Sequence, residues 1–166
     1  MKNSLERFDV QMAFLKDREK KHDGKKCEDL LFTRGEKESY ICNGQWIVKI
    51  PNCVCFVQDC EHYARTITLE ACERFFEDAY QVKEAYKTGI TRKHPSNPTM
   101  ELVEFGIQDT AEKLYINKKY LDLIDINDGT QPITYRANNR KDMLRICIGG
   151  SQVFGIVSPV NVNTWD

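Results

Sequence analysis

The 166-residue sequence contains no uninterrupted apolar run of the roughly 18 residues that a membrane-spanning helix needs. Its opening, Met1-Lys2-Asn3-Ser4-Leu5-Glu6-Arg7, also lacks the apolar stretch of a secretory signal. The expectation is a cytoplasmic protein with no membrane partner. Charge of one sign is not in excess either: 24 Lys plus Arg stand against 25 Asp plus Glu, a net charge of -1. That balance argues against a histone-like nucleic-acid binder but leaves room for a local basic face.

Catalytic signatures are missing as well. There is no G-x-S-x-G, Walker A or G-x-G-x-x-G sequence, and His22, His62 and His94 are the only imidazoles. His22 lies in a charged stretch and His94 near Pro95, so neither stands beside an evident nucleophile. Glu70, Glu73, Glu77 and Asp78 follow a helix surface, a pattern that usually marks a solvated face rather than an acid/base pair. The reading is a protein that is not an enzyme and requires no cofactor.

Seven cysteines, Cys27, Cys42, Cys53, Cys55, Cys60, Cys72 and Cys147, make an odd number without a C-x-x-C pair. Most sit among apolar residues and read as buried, reduced thiols. Cys27 and Cys60, nearer to charged sequence, are expected to be accessible. Cys53-x-Cys55 with Cys60 and His62 supplies the ligand types of a tetrahedral zinc site, but the spacing matches no familiar zinc motif. Two small side chains on one buried strand explain the pair without metal.

What is present is a chain 41% hydrophobic and long enough for one real core. Leu5, Phe8, Met12 and Leu15 recur at helical spacing after Ser4, and Lys16 to Lys26 is dominated by charge. Residues 1–30 therefore read as an N-terminal helix with a charged arm, and 31–166 as a single α+β domain. Asn43-Gly44 lies between β-rich runs ending at Cys42 and starting at Gln45, the signature of a type I′ hairpin. Cys53 to Val57 reads as a short strand. Thr68 is placed to cap a long helix running from Leu69 to about Lys87, with Leu69, Cys72, Phe76, Ala79 and Val82 as its buried stripe and Gly89 as its stop.

Thr91 to Thr99, with Pro95 and Pro98, reads as a loop, and Met100 to Ile107 as a strand. Leu114 to Ile116 is extended, Lys118 to Ile124 helical, and Pro132 to Ala137, Met143 to Ile148 and Gln152 to Val160 form a meander turning at Asn138-Asn139 and Gly149-Gly150. Leu144, Ile146 and Ile148 alternate with Arg145 and Cys147, which assigns opposite faces. No internal repeat is evident in the residues. The class is α+β, a mainly antiparallel sheet with helices on one face.

Basic residues concentrate locally. Lys118 and Lys119 open the short helix, Arg136, Arg140 and Lys141 flank Asn138-Asn139, and Lys87, Arg92 and Lys93 form a third group. Lys118, Lys119, Arg136, Arg140 and Lys141 are the candidate phosphate contacts, with ordinary surface solubility as the alternative. Tyr135 is placed either to stack on a base or to pack on the sheet.

The segment Leu114 to Val162 has a strand ending in Ile116-Asn117, a helix opening Lys119-Tyr120-Leu121-Asp122, and three strands closing on Val157-Ser158-Pro159-Val160-Asn161-Val162. It resembles the last module of the bacterial DNA polymerase sliding clamp, the processivity subunit, with Asn117, Lys119, Tyr120, Leu121, Pro159 and Val160 as the matching residues. Ser158 and Asn161 replace the Met and Arg of the clamp terminus. The resemblance implies a clamp-like fold, DNA or a replication protein as partner, Pro159 and Val160 as partner-binding residues, and a homo-oligomer as one form of assembly. The expected function is that of a non-enzymatic accessory factor in DNA metabolism, of a phage or other mobile element. The alternative is a protein-interaction or oligomerising domain with no nucleic-acid role.

Overall fold

In the chain's computed structural model, residues 8–13, 27–53, 55, 63–65, 67–125 and 132–162 are described. Period-2 alternation dominates the sequence, and ten described strands join one sheet. They are β1 (Cys27–Arg34), β2 (Glu38–Cys42), β3 (Trp46–Pro51), β4 (Tyr63–Arg65), β5 (Glu84–His94), β6 (Asn97–Ile107), β7 (Lys113–Asn117), β8 (Ile133–Arg136), β9 (Leu144–Ile148) and β10 (Gln152–Val157). Their spatial order is β4-β1-β2-β3-β10-β9-β8-β5-β6-β7. Only β4 with β1 is parallel; every other pair is antiparallel. The helices are α1, described over residues 8–13, α2 (Leu69–Phe75) and α3 (Lys118–Ile124).

The six central strands are arranged symmetrically about the β3–β10 pair. On one side lie β1-β2-β3, preceded in the chain by α1; on the other lie β8-β9-β10, preceded by α3. The two helices meet, Gln11 Nε2 donating to the Leu123 carbonyl at 3.4 Å. A helix-plus-meander unit is thus repeated in topology although the sequence shows no repeat. Alternating burial specifies faces and not residue identities, so two such units need share no motif.

One face carries the larger core. Ile41, Val48, Ile50, Phe105, Ile107, Leu114, Ile116, Leu144 and Ile146 pack there with Met12 of α1 and Leu121 and Ile124 of α3. Tyr120 is partly buried against the same cluster. Tyr40, Ile47, Cys147, Val153 and Ile156 point the other way and pack with Cys72 of α2. The helices therefore divide between the two faces. The one-face arrangement expected from the sequence is corrected because the Cys72 stripe and the Leu121 stripe find opposite sides of shared strands.

Local signals set the ends of the helices. Thr68 caps α2, its hydroxyl accepting from the Ala71 N–H at 3.2 Å, and Asn117 caps α3, its Oδ1 accepting from Lys119 N at 3.0 Å. The long helix is a correction: α2 ends at Phe75, and the chain re-enters the sheet at Glu84. Asp78 Oδ1 takes the Tyr80 N–H, and Ala79 N donates to Ser151 O at 3.0 Å, so a local side chain and a distant carbonyl replace the i−4 carbonyls. Phe76, Ala79 and Val82 still reach the core beside Cys72. Gly89 lies inside β5 with φ of 88°, in a register shift between Lys87 and Thr91. The expected Thr91–Thr99 loop is the tip of the β5–β6 hairpin, turning at Pro95-Ser96.

The Asn43-Gly44 hairpin is present, but its turn is not type I′. Among described non-glycine residues only Asp109 has positive φ, so Gly44 (φ 88°) is the turn's left-handed residue. Asn43 instead accepts from the N–H groups of Gln45 and Trp46 through Oδ1 at 2.9 and 2.8 Å. Cys53 sits in a turn after β3, exposed, rather than on a strand. A domain boundary after residue 30 would cut β1 and separate Phe8 and Met12 from the core they join. The charged stretch Lys16 to Lys26 lies outside the described residues.

Gly155 explains how closely α3 sits on the sheet: a Cβ there would collide with Ile124 Cγ2. After β10 the chain continues outward. Ser158 N donates to Gln45 O at 2.7 Å and Val160 N to Tyr115 O at 2.8 Å. The run β10-β9-β8-β5-β6-β7 therefore curls until its last strand meets the chain leaving its first. That closure creates a groove.

Candidate partner-binding groove

β7 supplies one wall. Its odd-numbered residues point away from the larger core, placing Lys113 and Tyr115 outward while Leu114 and Ile116 are buried. Tyr115 is fixed from behind: its hydroxyl donates to Glu104 Oε2 at 3.1 Å, and Thr88 donates to Glu104 Oε1 at 2.9 Å. These donors satisfy a carboxylate that is only 4% exposed.

The β8–β9 connection supplies the second wall. Asp142 is its anchor, accepting from Asn138 N at 2.9 Å and pairing with Arg145 Nη1 at 2.9 Å. Asn139 Oδ1 accepts from Lys141 N at 2.9 Å. These side-chain-to-backbone bonds hold the tight connection, in which Arg140 and Lys141 are exposed. Pro159 to Val162, held against β7 by the Val160 bond, form the third wall.

The resulting groove has a volume of about 430 Å³ and is lined by Lys113, Arg140 and Lys141 together with Leu114, Tyr115, Pro159, Val160, Asn161 and Val162. Among the described residues no carboxylate lines it. Four residues singled out in the sequence, Arg140, Lys141, Pro159 and Val160, therefore meet in one place. Lys113 was missed; its signal was the alternation Lys113-Leu114-Tyr115, which puts it on the outer face of an edge strand.

The remaining basic candidates lie elsewhere. Lys118 and Lys119 line a second, more open cleft of about 700 Å³ with Lys93 of the β5–β6 hairpin, and this cleft also holds Glu101 and Asp122. Lys118 Nζ is 2.6 Å from Asp122 Oδ2, and that hydrogen bond raises the ammonium pKa. Arg136 joins neither group. Its Nε donates to Gly150 O at 2.7 Å and its Nη1 to Val82 O at 2.6 Å and Tyr80 O at 3.2 Å, so it straps β8 to the β9–β10 turn and the segment after α2. Main-chain carbonyls take the donors that the sequence reading had offered to phosphates.

A further polar cluster ties α3 to the sheet. Asp125 Oδ2 lies 2.6 Å from both Lys87 Nζ and the Tyr135 hydroxyl, which donates to it. Tyr135 also packs edge-on against Phe105, with ring centroids 5.0 Å apart. Burial, followed by the Asp125 bond, pushes its phenol far above the ordinary range. Tyr135 therefore packs in the fold instead of presenting a stacking face. Among the described residues no group of three or more His, Cys, Asp or Glu is arranged to hold a metal. Cys60 and His62 lie outside those residues. No described helix is long and apolar enough to cross a membrane.

Comparison with protein-family models, curated proteins and solved structures gives no match for the chain.

Proposed function

We propose that the protein is a non-enzymatic binding protein, an accessory factor in DNA metabolism, that docks an acidic and partly apolar segment of a protein partner in the groove between β7 and residues 158–162. The observation that carries the binding reading is the convergence of Lys113, Arg140 and Lys141 beside the partly exposed Pro159, Val160 and Val162, with no carboxylate among the described residues that line the groove. Cations beside apolar surface suit a chain segment bearing both carboxylates and hydrophobic side chains. The assignment to DNA metabolism rests on the clamp resemblance, whose strand–helix–three-strand order corresponds to β7-α3-β8-β9-β10.

A labelled synthetic peptide alternating Glu with Leu and Phe provides the test. It is expected to bind at low salt, to weaken as salt rises, and to lose about tenfold in affinity with Arg140→Glu/Lys141→Glu, on the order of 1.4 kcal/mol. Failure to bind, or binding unaffected by the double substitution, overturns the groove reading.

Direct contact with nucleic acid is the second reading, favoured by Lys93, Lys118 and Lys119 around the second cleft. It requires an oligonucleotide affinity that falls with salt and drops further with Lys93→Ala/Lys119→Ala. An oligonucleotide that displaces the peptide from the groove would make nucleic acid the groove's ligand instead.

A further inference from the structure

Elsewhere on the molecule, α2 and the turns following it present the opposite chemistry to the groove. Between Leu69 and Val82 the chain carries Glu70, Glu73, Glu77 and Asp78 against the single cation Arg74. Leu69, Phe75 and Tyr80 are 36%, 40% and 68% exposed, so large apolar side chains stand among these carboxylates. Arg74 is turned back to Glu70 at 3.4 Å, while Glu73 and Glu77 are exposed. Cys72, fully buried, anchors the element on its inner side. The surface has the acidic and aromatic character that the groove, with three cations and no carboxylate among its described lining residues, is suited to receive.

From this we infer that the groove's partner is a second copy of this chain, docking through its α2 face. The inference rests on the groove reading above and names its occupant. Charge complementarity selects the orientation: Arg140 and Lys141 of one copy face Glu73 and Glu77 of the next, with Phe75 and Tyr80 against the Pro159 and Val160 wall. The two surfaces are different parts of the molecule, so the contact is head-to-tail. Each copy keeps one groove and one α2 face for further neighbours. Assembly therefore grows with concentration into a ring or a filament. A net charge of -1 opposes such growth little.

Sedimentation velocity on the full chain tests the inference. At about 50 mM salt the weight-average sedimentation coefficient is expected to rise with protein concentration, and at about 500 mM salt to return to the monomer value. Arg140→Glu/Lys141→Glu and Glu73→Lys/Glu77→Lys should each remain monomeric at low salt, with circular dichroism verifying that both are folded. An equimolar mixture of the two variants restores complementary pairs and should assemble again, an outcome that loss of folding cannot imitate. Wild-type protein that stays monomeric, variants that assemble as the wild type does, or a mixture that stays monomeric overturns self-docking. If self-docking fails while the Glu/Leu/Phe peptide still binds through Arg140 and Lys141, the groove reading stands; if the peptide also fails, both fall.

Discussion

Beneath α1 and α3 the sheet buries Ile41, Val48, Ile50, Phe105, Leu114 and Ile146, a continuous apolar core drawn from both halves of the molecule. Beneath α2 the opposite face buries a smaller set in which Cys72 and Cys147 hold central positions among Tyr40, Ile47, Val153 and Ile156. The same strands supply both. Their alternation gives each face a chemistry of its own, and the covering helix decides how deeply that face is buried. Bulk on the α3 side carries most of the stabilisation, whereas the α2 side combines modest burial with thiols that titrate.

Truncation should show the asymmetry most strongly. Phe105→Ala removes a ring that is fully buried on the α3 side and should cost about 3–5 kcal/mol, measured by urea unfolding at neutral pH. Cys147→Ala on the other face deletes only a sulfur and should cost about 1 kcal/mol, in line with loss of a small group. Equal losses would remove the distinction between the two cores.

Alkaline pH reverses the emphasis. Burial raises the thiols of Cys72 and Cys147 from 9 to about 11, so the folded state favours the neutral forms. A raised pKa contributes stability that is complete below the unfolded value and is lost as pH rises through the folded one. Each thiol should therefore withdraw up to about 2–3 kcal/mol between pH 9 and 11. Tyr40, pushed up to about 12 chiefly by burial, extends the decline. Urea midpoints across this window should fall less steeply for Cys72→Ala/Cys147→Ala than for wild type. An unchanged slope would take the alkaline sensitivity away from the α2 face.

The contact of α3 with the sheet can be tightened or relieved at one pair. Gly155→Ala sets a methyl against Ile124 Cγ2 and should cost about 1–3 kcal/mol, and Ile124→Ala should recover part of that loss in the double variant. Strict additivity would place the strain elsewhere. The smallest expected effect is on the other helix: Thr68→Ala removes the hydroxyl that accepts from Ala71 N and should cost about 1 kcal/mol, read from the thermal unfolding midpoint. A neutral result would mean that water or another group takes over the cap.

Much of the groove's equipment was visible in the residues, but not its assembly. Pro159 and Val160 stood out through the clamp resemblance and Arg140 and Lys141 through local charge, yet their meeting depends on Val160 bonding to Tyr115, 45 residues earlier in the chain. Arg136 looked equivalent to Arg140 because both flank the same turn. Its donors were claimed by carbonyls at Tyr80, Val82 and Gly150, which adjoin it only after folding.

The sequence by itself determined the features whose causes are local. Thr68 and Asn117 mark helix starts because their side chains reach N–H groups two or three residues ahead, and Leu144 to Ile148 shows its two faces because successive side chains in a strand alternate. Helix α3 from Lys118 to Ile124 and the β8-β9-β10 meander follow from such signals. The tertiary structure helped to decide where α2 stops, since Ser151 lies far along the chain from the Ala79 N–H it receives. It also placed α2 and α3 on opposite faces and curled the sheet until β7 met residues 158–162. Those outcomes depend on which distant surfaces become neighbours, and helical or β periodicity specifies that a face must be buried without naming what will bury it.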